Sequence, residues 1–318
     1  MDSCRIIGNR AFSKAPGLHV EHGSVVSVNH CVISNNSNSF NEAGQTGSTD
    51  AGCAVLLEGN NRATFYDVNL THNSGYWGLG VLVLMIRNCD ADCSRPSVVK
   101  VISCNFHHNE AKAAIVEYTS RGYITTYERC NIHDNIMFSS AAVVFNGVGS
   151  SSTMSDCAIH NNVRARQPNG GNRGGGVSVE LDKNGGFAVE GLDSPAEVTL
   201  NRCSIYENGL FVYGFPRTNS KYSTTTDCEP DSTAVCGGGL QVISGNVYLN
   251  DGKIYNNWGT NGAGIYQRGG VVTLSRTLIF DNRLYADGYD SSASGRNVMT
   301  VSIMYYLLPT PPGSFAAH

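Results

Sequence analysis

Charge is scarce in this chain. Asp, Glu, Lys and Arg make up 15% of its 318 residues, against roughly 25% in an average protein. A helical bundle needs charged solvent-facing stripes, so this scarcity speaks against one. The charges present almost cancel, 22 basic against 26 acidic for a net −4. No basic surface for nucleic acid is therefore expected. The sequence also lacks any apolar run of about 18 residues, so no transmembrane helix is expected. What it has in excess is glycine, 36 residues, beside a 41% share of apolar types. Glycine weakens helices, and so large an apolar share argues against disorder.

A short repeat organises the chain. It consists of a small residue at position 0, a large apolar residue at +2 and Asn at +5. The nine copies begin with Cys4-Ile6-Asn9, Cys31-Ile33-Asn36, Val68-Leu70-Asn73, Cys104-Phe106-Asn109 and Cys130-Ile132-Asn135. They continue with Cys157-Ile159-Asn162, Cys203-Ile205-Asn208, Gly252-Ile254-Asn257 and Thr277-Ile279-Asn282. Apolar residues precede position 0 by five and three places, as in Val99 and Val101 before Cys104, or Val198 and Leu200 before Cys203. Thr125 with Tyr127, and Ser152 with Met154, are weaker versions. A spacing of two is the strand period. The step from −3 to 0 breaks it, which reads as a corner between two strands. A third strand follows small residues, as in Gly175-Gly176-Val177, Gly238-Gly239-Leu240 and Ala141-Ala142-Val143. Small residues there let the backbone pass close to a neighbour.

Successive copies lie 25–27 residues apart at the closest, and longer separations equal that floor plus insertions. Three strands and three turns per repeat describe one coil of a parallel β-helix, whose stacked coils bury a continuous core. The expected fold is all-β, a single-stranded solenoid of about nine coils over residues 1–307. Eight steps at the strand spacing give a cylinder roughly 38 Å long. Insertions are expected near 37–50, 84–97, 163–173, 182–196 and 209–236, and residues 308–318 form a Pro-rich exit expected to be disordered.

Each column of the repeat becomes a vertical ladder. Asn36, Asn73, Asn109, Asn135, Asn162, Asn208, Asn257 and Asn282 are expected at a turn. There Asn tolerates the left-handed region, and its amide can bond the next Asn. Six of the eleven cysteines share position 0 with Val68, Gly252 and Thr277. That exchange set indicates small buried side chains, so these six read as stacked free thiols. Cys53 reads as core beside a strand, while Cys89–Cys93 and Cys228–Cys236 are candidate loop disulfides. Neither loop pair has a zinc ligand set, and no metal or cofactor is expected.

His72, His107, His108, His133 and His160 cluster near +3 and +4 on neighbouring coils, with Tyr206, Tyr255 and Phe280 at comparable places. They read as planar groups stacking along a solvated turn; the competing reading is a metal- or ligand-binding stripe. Asp134, Asp156, Glu128 and Glu207 are scattered over different coils and form no paired-carboxylate site, so no catalytic residue is assigned. The insertions after Asn162 and Asn208 should stand side by side. They carry Arg164, Arg166, Arg173, Phe211, Tyr213, Phe215, Arg217, Lys221 and Tyr222. Arg and aromatic residues on loops over a rigid scaffold suit binding.

The Cys-x-Ile-x-x-Asn motif alternating with Gly-Gly-Val resembles the repeats of the polymorphic outer membrane protein family, and Phe106-His107-His108-Asn109 is its nearest copy of that family's Phe-x-x-Asn. The resemblance implies a right-handed, pectin-lyase-like β-helix at a cell surface or outside the cell. It implies a non-catalytic scaffold for adhesion or for a ligand such as a glycan. The alternatives are a carbohydrate-active enzyme of the pectin-lyase-like group and a structural spacer in a larger surface protein. Met1-Asp2-Ser3-Cys4 begins in the middle of a coil without a signal peptide, so a fragment of a longer protein is expected.

Overall fold

The computed structural model describes residues 1–11, 15–21, 23–38, 52–75, 80–86, 97–119, 123–137, 140–147, 149–164, 175–180, 196–209, 238–259 and 262–284. Among them there is no helix; they form a parallel β-helix of nine coils. Every described strand pairing is parallel and joins a strand to its counterpart one coil away.

Each coil runs through four sheets. The approach sheet holds the strands preceding position 0, such as Ser97–Ile102 and Tyr123–Glu128. The motif sheet holds the nine copies of +1 to +3, from Arg5–Ile7 to Leu278–Phe280. A corner sheet of two-residue strands follows, such as Glu110–Ala111 and Ile136–Met137, in two pieces of six and two strands with no described strand directly after Asn208. The glycine sheet contains the third strand foreseen from sequence, such as Ile115–Thr119, Val143–Gly147 and Val177–Glu180. The corner sheet is thus a fourth strand beyond the three expected. It arises because the chain leaves each Asn in line with its neighbours and pairs briefly before turning again, as in Ile136 N–H to Asn109 C=O at 2.8 Å.

The columns explain the spacing. The +2 residues Ile33, Leu70, Phe106, Ile132, Ile159 and Ile205 are in register and at most 1% exposed. Burying each contributes about 1.5–3 kcal/mol. The break before position 0 is indeed a corner. In all nine coils residue −1 is left-handed, from Ser3 (φ 51) through Asp156 (φ 55) to Arg276 (φ 47). One left-handed residue reverses the inward–outward alternation and still lets coil-to-coil backbone bonding continue: Ser103 N–H donates to Glu128 C=O at 2.8 Å.

The second corner corrects the sequence reading. The left-handed residue there is not the Asn at +5 but the one before it at +4, as in Asn35, His72, His108, Asp134, Asn161 and Glu207. The residue at +4 makes the turn, which frees the Asn to point inward. Each ladder Asn is then bonded on both sides. Asn135 Nδ2 donates to Asn162 Oδ1 at 2.9 Å and to the Phe106 carbonyl of the preceding coil at 2.8 Å. Asn135 Oδ1 accepts from both the N–H (3.1 Å) and the Nδ2 (2.9 Å) of Asn109. The same pattern links Asn9 to Asn36 and continues to Asn282. Asn36, Asn73, Asn135, Asn208 and Asn257 are fully buried.

The six position-0 cysteines are free thiols, and five are buried. Each sits beside a carbonyl that the −1 corner leaves turned inward. Cys31 Sγ donates to Asn29 C=O at 3.0 Å and Cys157 Sγ to Ser155 C=O at 3.3 Å. Thr277 Oγ1 does the same to Ser275 C=O at 3.1 Å. Position 0 therefore favours a small side chain with a weak donor, and burial pushes the Cys104 thiol up to about 11.

The glycines of the third strand answer a close approach. A Cβ on Gly176 would lie 2.6 Å from Ile205 Cγ2 and 2.5 Å from Gly239 C=O. In the middle coils the glycine sheet is buried on both faces. Its outward column Leu56, Val83, Val116 and Val144 is in register and no more than 2% exposed.

Removing one rung tests the ladder. Asn162→Ala strands two donors of Asn135 in a buried corner and removes a bond to the carbonyl of Ile132. Each such group costs about 1–3 kcal/mol. Denaturant unfolding should show a loss of about 3 kcal/mol or more; an unchanged midpoint would contradict the ladder's role.

Candidate functional site

Of the expected binding cluster, only the backbone of Arg164 lies among the described residues, closing the strand Val163–Arg164 in register with Met137. Arg166, Arg173, Phe211, Tyr213, Phe215, Arg217, Lys221 and Tyr222 lie outside them, as do Cys89, Cys93, Cys228, Cys236 and residues 308–318. The described strands do locate where the insertions leave the coil. Those near 37–50, 163–173 and 209–236 enter the glycine sheet; those near 84–97 and 182–196 leave it. Strands also extend into three expected insertions, as Ser37–Asn38, Gly80–Ile86 and Val163–Arg164. They do so because in-register neighbours keep pairing until the chain departs. The other two corners, at −1 and +4, have the same length in every coil.

The expected ring row is present on the outer face of the motif sheet. His107, His133, His160, Tyr206, Tyr255 and Phe280 stack on successive coils, with centroids 4.6–5.2 Å apart and planes within 5° of parallel. The coil spacing sets the ring spacing. An Asn column at +1 orients the imidazoles. His107 Nε2 lies 2.9 Å from Asn69 Oδ1, His133 Nε2 3.0 Å from Asn105 Oδ1, and His160 Nε2 3.1 Å from Asn131 Oδ1. An amide oxygen only accepts, so each Nε2 carries the hydrogen and donates. Burial, reinforced by neighbouring imidazoles, holds the pKa of His107 and of His160 below the ordinary histidine value. His160 Nδ1 is buried and has no hydrogen-bond partner.

At +4 a second, shorter column runs beside the first. Thr71 Oγ1 is 2.7 Å from His72 Nδ1, His107 Nδ1 is 2.7 Å from His108 Nδ1, and His133 Nδ1 is 2.6 Å from Asp134 Oδ2. His72 and His108 stack at 5.3 Å.

The −1 corner carries charge in alternation: Arg129, Asp156, Arg202, Asp251 and Arg276 on five successive coils. Arg202 grips Asp156 through two bonds of 2.7 and 2.8 Å, and Arg276 grips Asp251 likewise. The bonds from Arg202 and Arg276 hold the two carboxyls below their usual range. These pairs are exposed and screened by salt, so they set corner geometry more than stability.

The sequence reading missed one group altogether. Glu117 projects into the core and is 1% exposed. Its Oε1 accepts from Thr125 Oγ1 and Tyr127 Oη, both at 2.7 Å, and its Oε2 accepts from Ser152 Oγ at 2.6 Å. The weak copies of the repeat are thus the partners of one buried acid; two adjacent coils breaking the apolar pattern at inward positions was the available signal. Burial raises the Glu117 pKa despite those three bonds. A carboxyl with a raised folded pKa stabilises most below its unfolded value, and that contribution is lost as pH rises through the folded pKa.

A further polar group stands at the first coils, where His19 lies 3.1 Å from Glu58 and 3.7 Å from Glu21. Their ligand atoms all fall within 4.8 Å of one another. The chain matches no protein-family profile, no curated protein and no solved structure.

Unfolding midpoints of wild type and Glu117→Gln between acid and alkaline pH test the buried acid. The balance should move toward the Gln variant as pH rises, because Gln loses no proton; a gap independent of pH would overturn the assignment.

Proposed function

We propose that this chain is a non-catalytic β-helix scaffold, displayed at a cell surface or secreted, whose insertions bind a ligand, with a glycan as the expected class. The observation carrying this reading is where the insertions leave the coil. Two corners of each coil are held to one length by left-handed residues, while all five insertions leave at the margins of the glycine sheet. Variation is thereby gathered on one side of a rigid cylinder, the arrangement by which loops on scaffolds acquire binding roles. The resemblance of Cys104-Asn105-Phe106-His107-His108-Asn109 to polymorphic outer membrane protein repeats supports the same reading. So does the engagement of Asp134, Asp156 and Asp251 in local pairs with His133, Arg202 and Arg276.

A glycan array with wild type and a Tyr213→Ala/Phe215→Ala double variant tests this. Binding without release of cleaved sugar, weakened about tenfold or more in the variant, is expected. No binding, or binding unchanged in the variant, overturns the assignment to the insertions. Appearance of unsaturated or reducing-end products overturns the non-catalytic reading.

A further inference from the structure

We infer that His107 and His108, joined by His72 from the preceding coil, form a surface site for a divalent transition-metal ion of the Cu²⁺/Ni²⁺ class. The site lies at the corner between the motif and corner sheets, and it uses none of the residues of the proposed glycan role.

Three features of the corner support it. First, the Nδ1 atoms of His107 and His108 are 2.7 Å apart. Two nitrogens each about 2.0–2.1 Å from one ion, at a right angle, stand about 2.9 Å apart. The pair is thus nearly at the spacing of adjacent ligands in a tetragonal site, the geometry of Cu²⁺ and Ni²⁺ with imidazole ligands. Second, the ring of His107 is already oriented as metal-bound imidazoles are. Its Nε2–H donates to Asn69 Oδ1 at 2.9 Å, which leaves the lone pair on Nδ1, 2.7 Å from His108 Nδ1 and 3.4 Å from Thr71 Oγ1. Donation of the other ring N–H to a fixed acceptor is the usual support for a ligating His. Third, His72 stacks on His108 at 5.3 Å and both are exposed. As it stands His72 Nδ1 lies 2.7 Å from Thr71 Oγ1, and a rotation of its side chain is required to bring a third nitrogen to the ion. In the metal-free corner His108 Nδ1 carries the hydrogen shared with His107. Binding moves that hydrogen to the exposed Nε2 of His108, so no net proton need be lost.

The left-handed backbone at His72 (φ 54) and His108 (φ 52) is part of the device. It swings the +4 side chain back beside +3, which places two consecutive residues on one ion. A strand would send them to opposite faces.

Titration of the purified chain with Cu²⁺ at neutral pH, followed by calorimetry and by the nitrogen hyperfine pattern in electron paramagnetic resonance, tests the site. Expected are one saturable ion bound through more than one nitrogen, and an affinity lowered about tenfold or more in His108→Ala and in His72→Ala. Both residues are exposed, and unchanged melting without metal verifies that the variants fold. No saturable binding by roughly millimolar copper overturns the proposal. Wild-type affinity in His108→Ala overturns it as well. So does binding abolished by Glu58→Gln instead, which would assign the ion to His19, Glu21 and Glu58.

Discussion

The interaction on which this structure depends is the hydrogen-bonded stack of asparagine side chains inside one corner of the coil. A side-chain amide carries two donors and an oxygen that accepts twice, so one short side chain can bond both neighbours and repeat at the strand spacing. From Asn36 to Asn257 each oxygen takes two hydrogens from the coil before and each nitrogen gives two away. The same amides also donate to the carbonyls of Ile33, Leu70, Phe106 and Ile132 one coil back, tying the corner to the motif sheet. Asp would add repelling charges, Gln would overreach, and Ser would leave one side unmet.

The other corner solves the same problem more cheaply. A left-handed residue at −1 turns the chain, and a thiol or hydroxyl at position 0 gives a weak hydrogen to the carbonyl two residues back. Val68 and Gly252 show that this bond is dispensable, whereas all nine coils keep the Asn. With both corners closed at fixed length, the remaining freedom of the coil lies at the margins of the glycine sheet. Outward groups are drawn into register by the same stacking, which gives a column of parallel rings on one face and alternating Arg and Asp along an edge.

Much of this was legible in the sequence, because the fold repeats its demands. Nine Asn at one offset, apolar residues at −5, −3 and +2, and the paired glycines each correspond to a column that structure and sequence share. The left-handed positions were misplaced by one residue. Their occupants at +4 include Asn, His, Asp and Glu, so no single residue type marks them, and the conspicuous Asn drew the assignment. Glu117 was invisible for a different reason. It follows the apolar inward residue Ile115 in its strand, and its partners Thr125, Tyr127 and Ser152 come from two further strands that only coiling brings together. The pairing of adjacent His107 and His108 side chains was equally beyond a reading by periodicity, since it requires the backbone reversal at +4.

If the asparagine stack is what holds the coils together, its side-chain amides should be among the most protected hydrogens in the protein. Hydrogen exchange of the Asn Nδ2 protons, followed by NMR, measures this directly. The account predicts that those of Asn73, Asn109, Asn135, Asn162 and Asn208 exchange only as fast as the whole chain unfolds. Exchange at the rate of a solvent-exposed amide, while the backbone of the motif sheet stays protected, would contradict it.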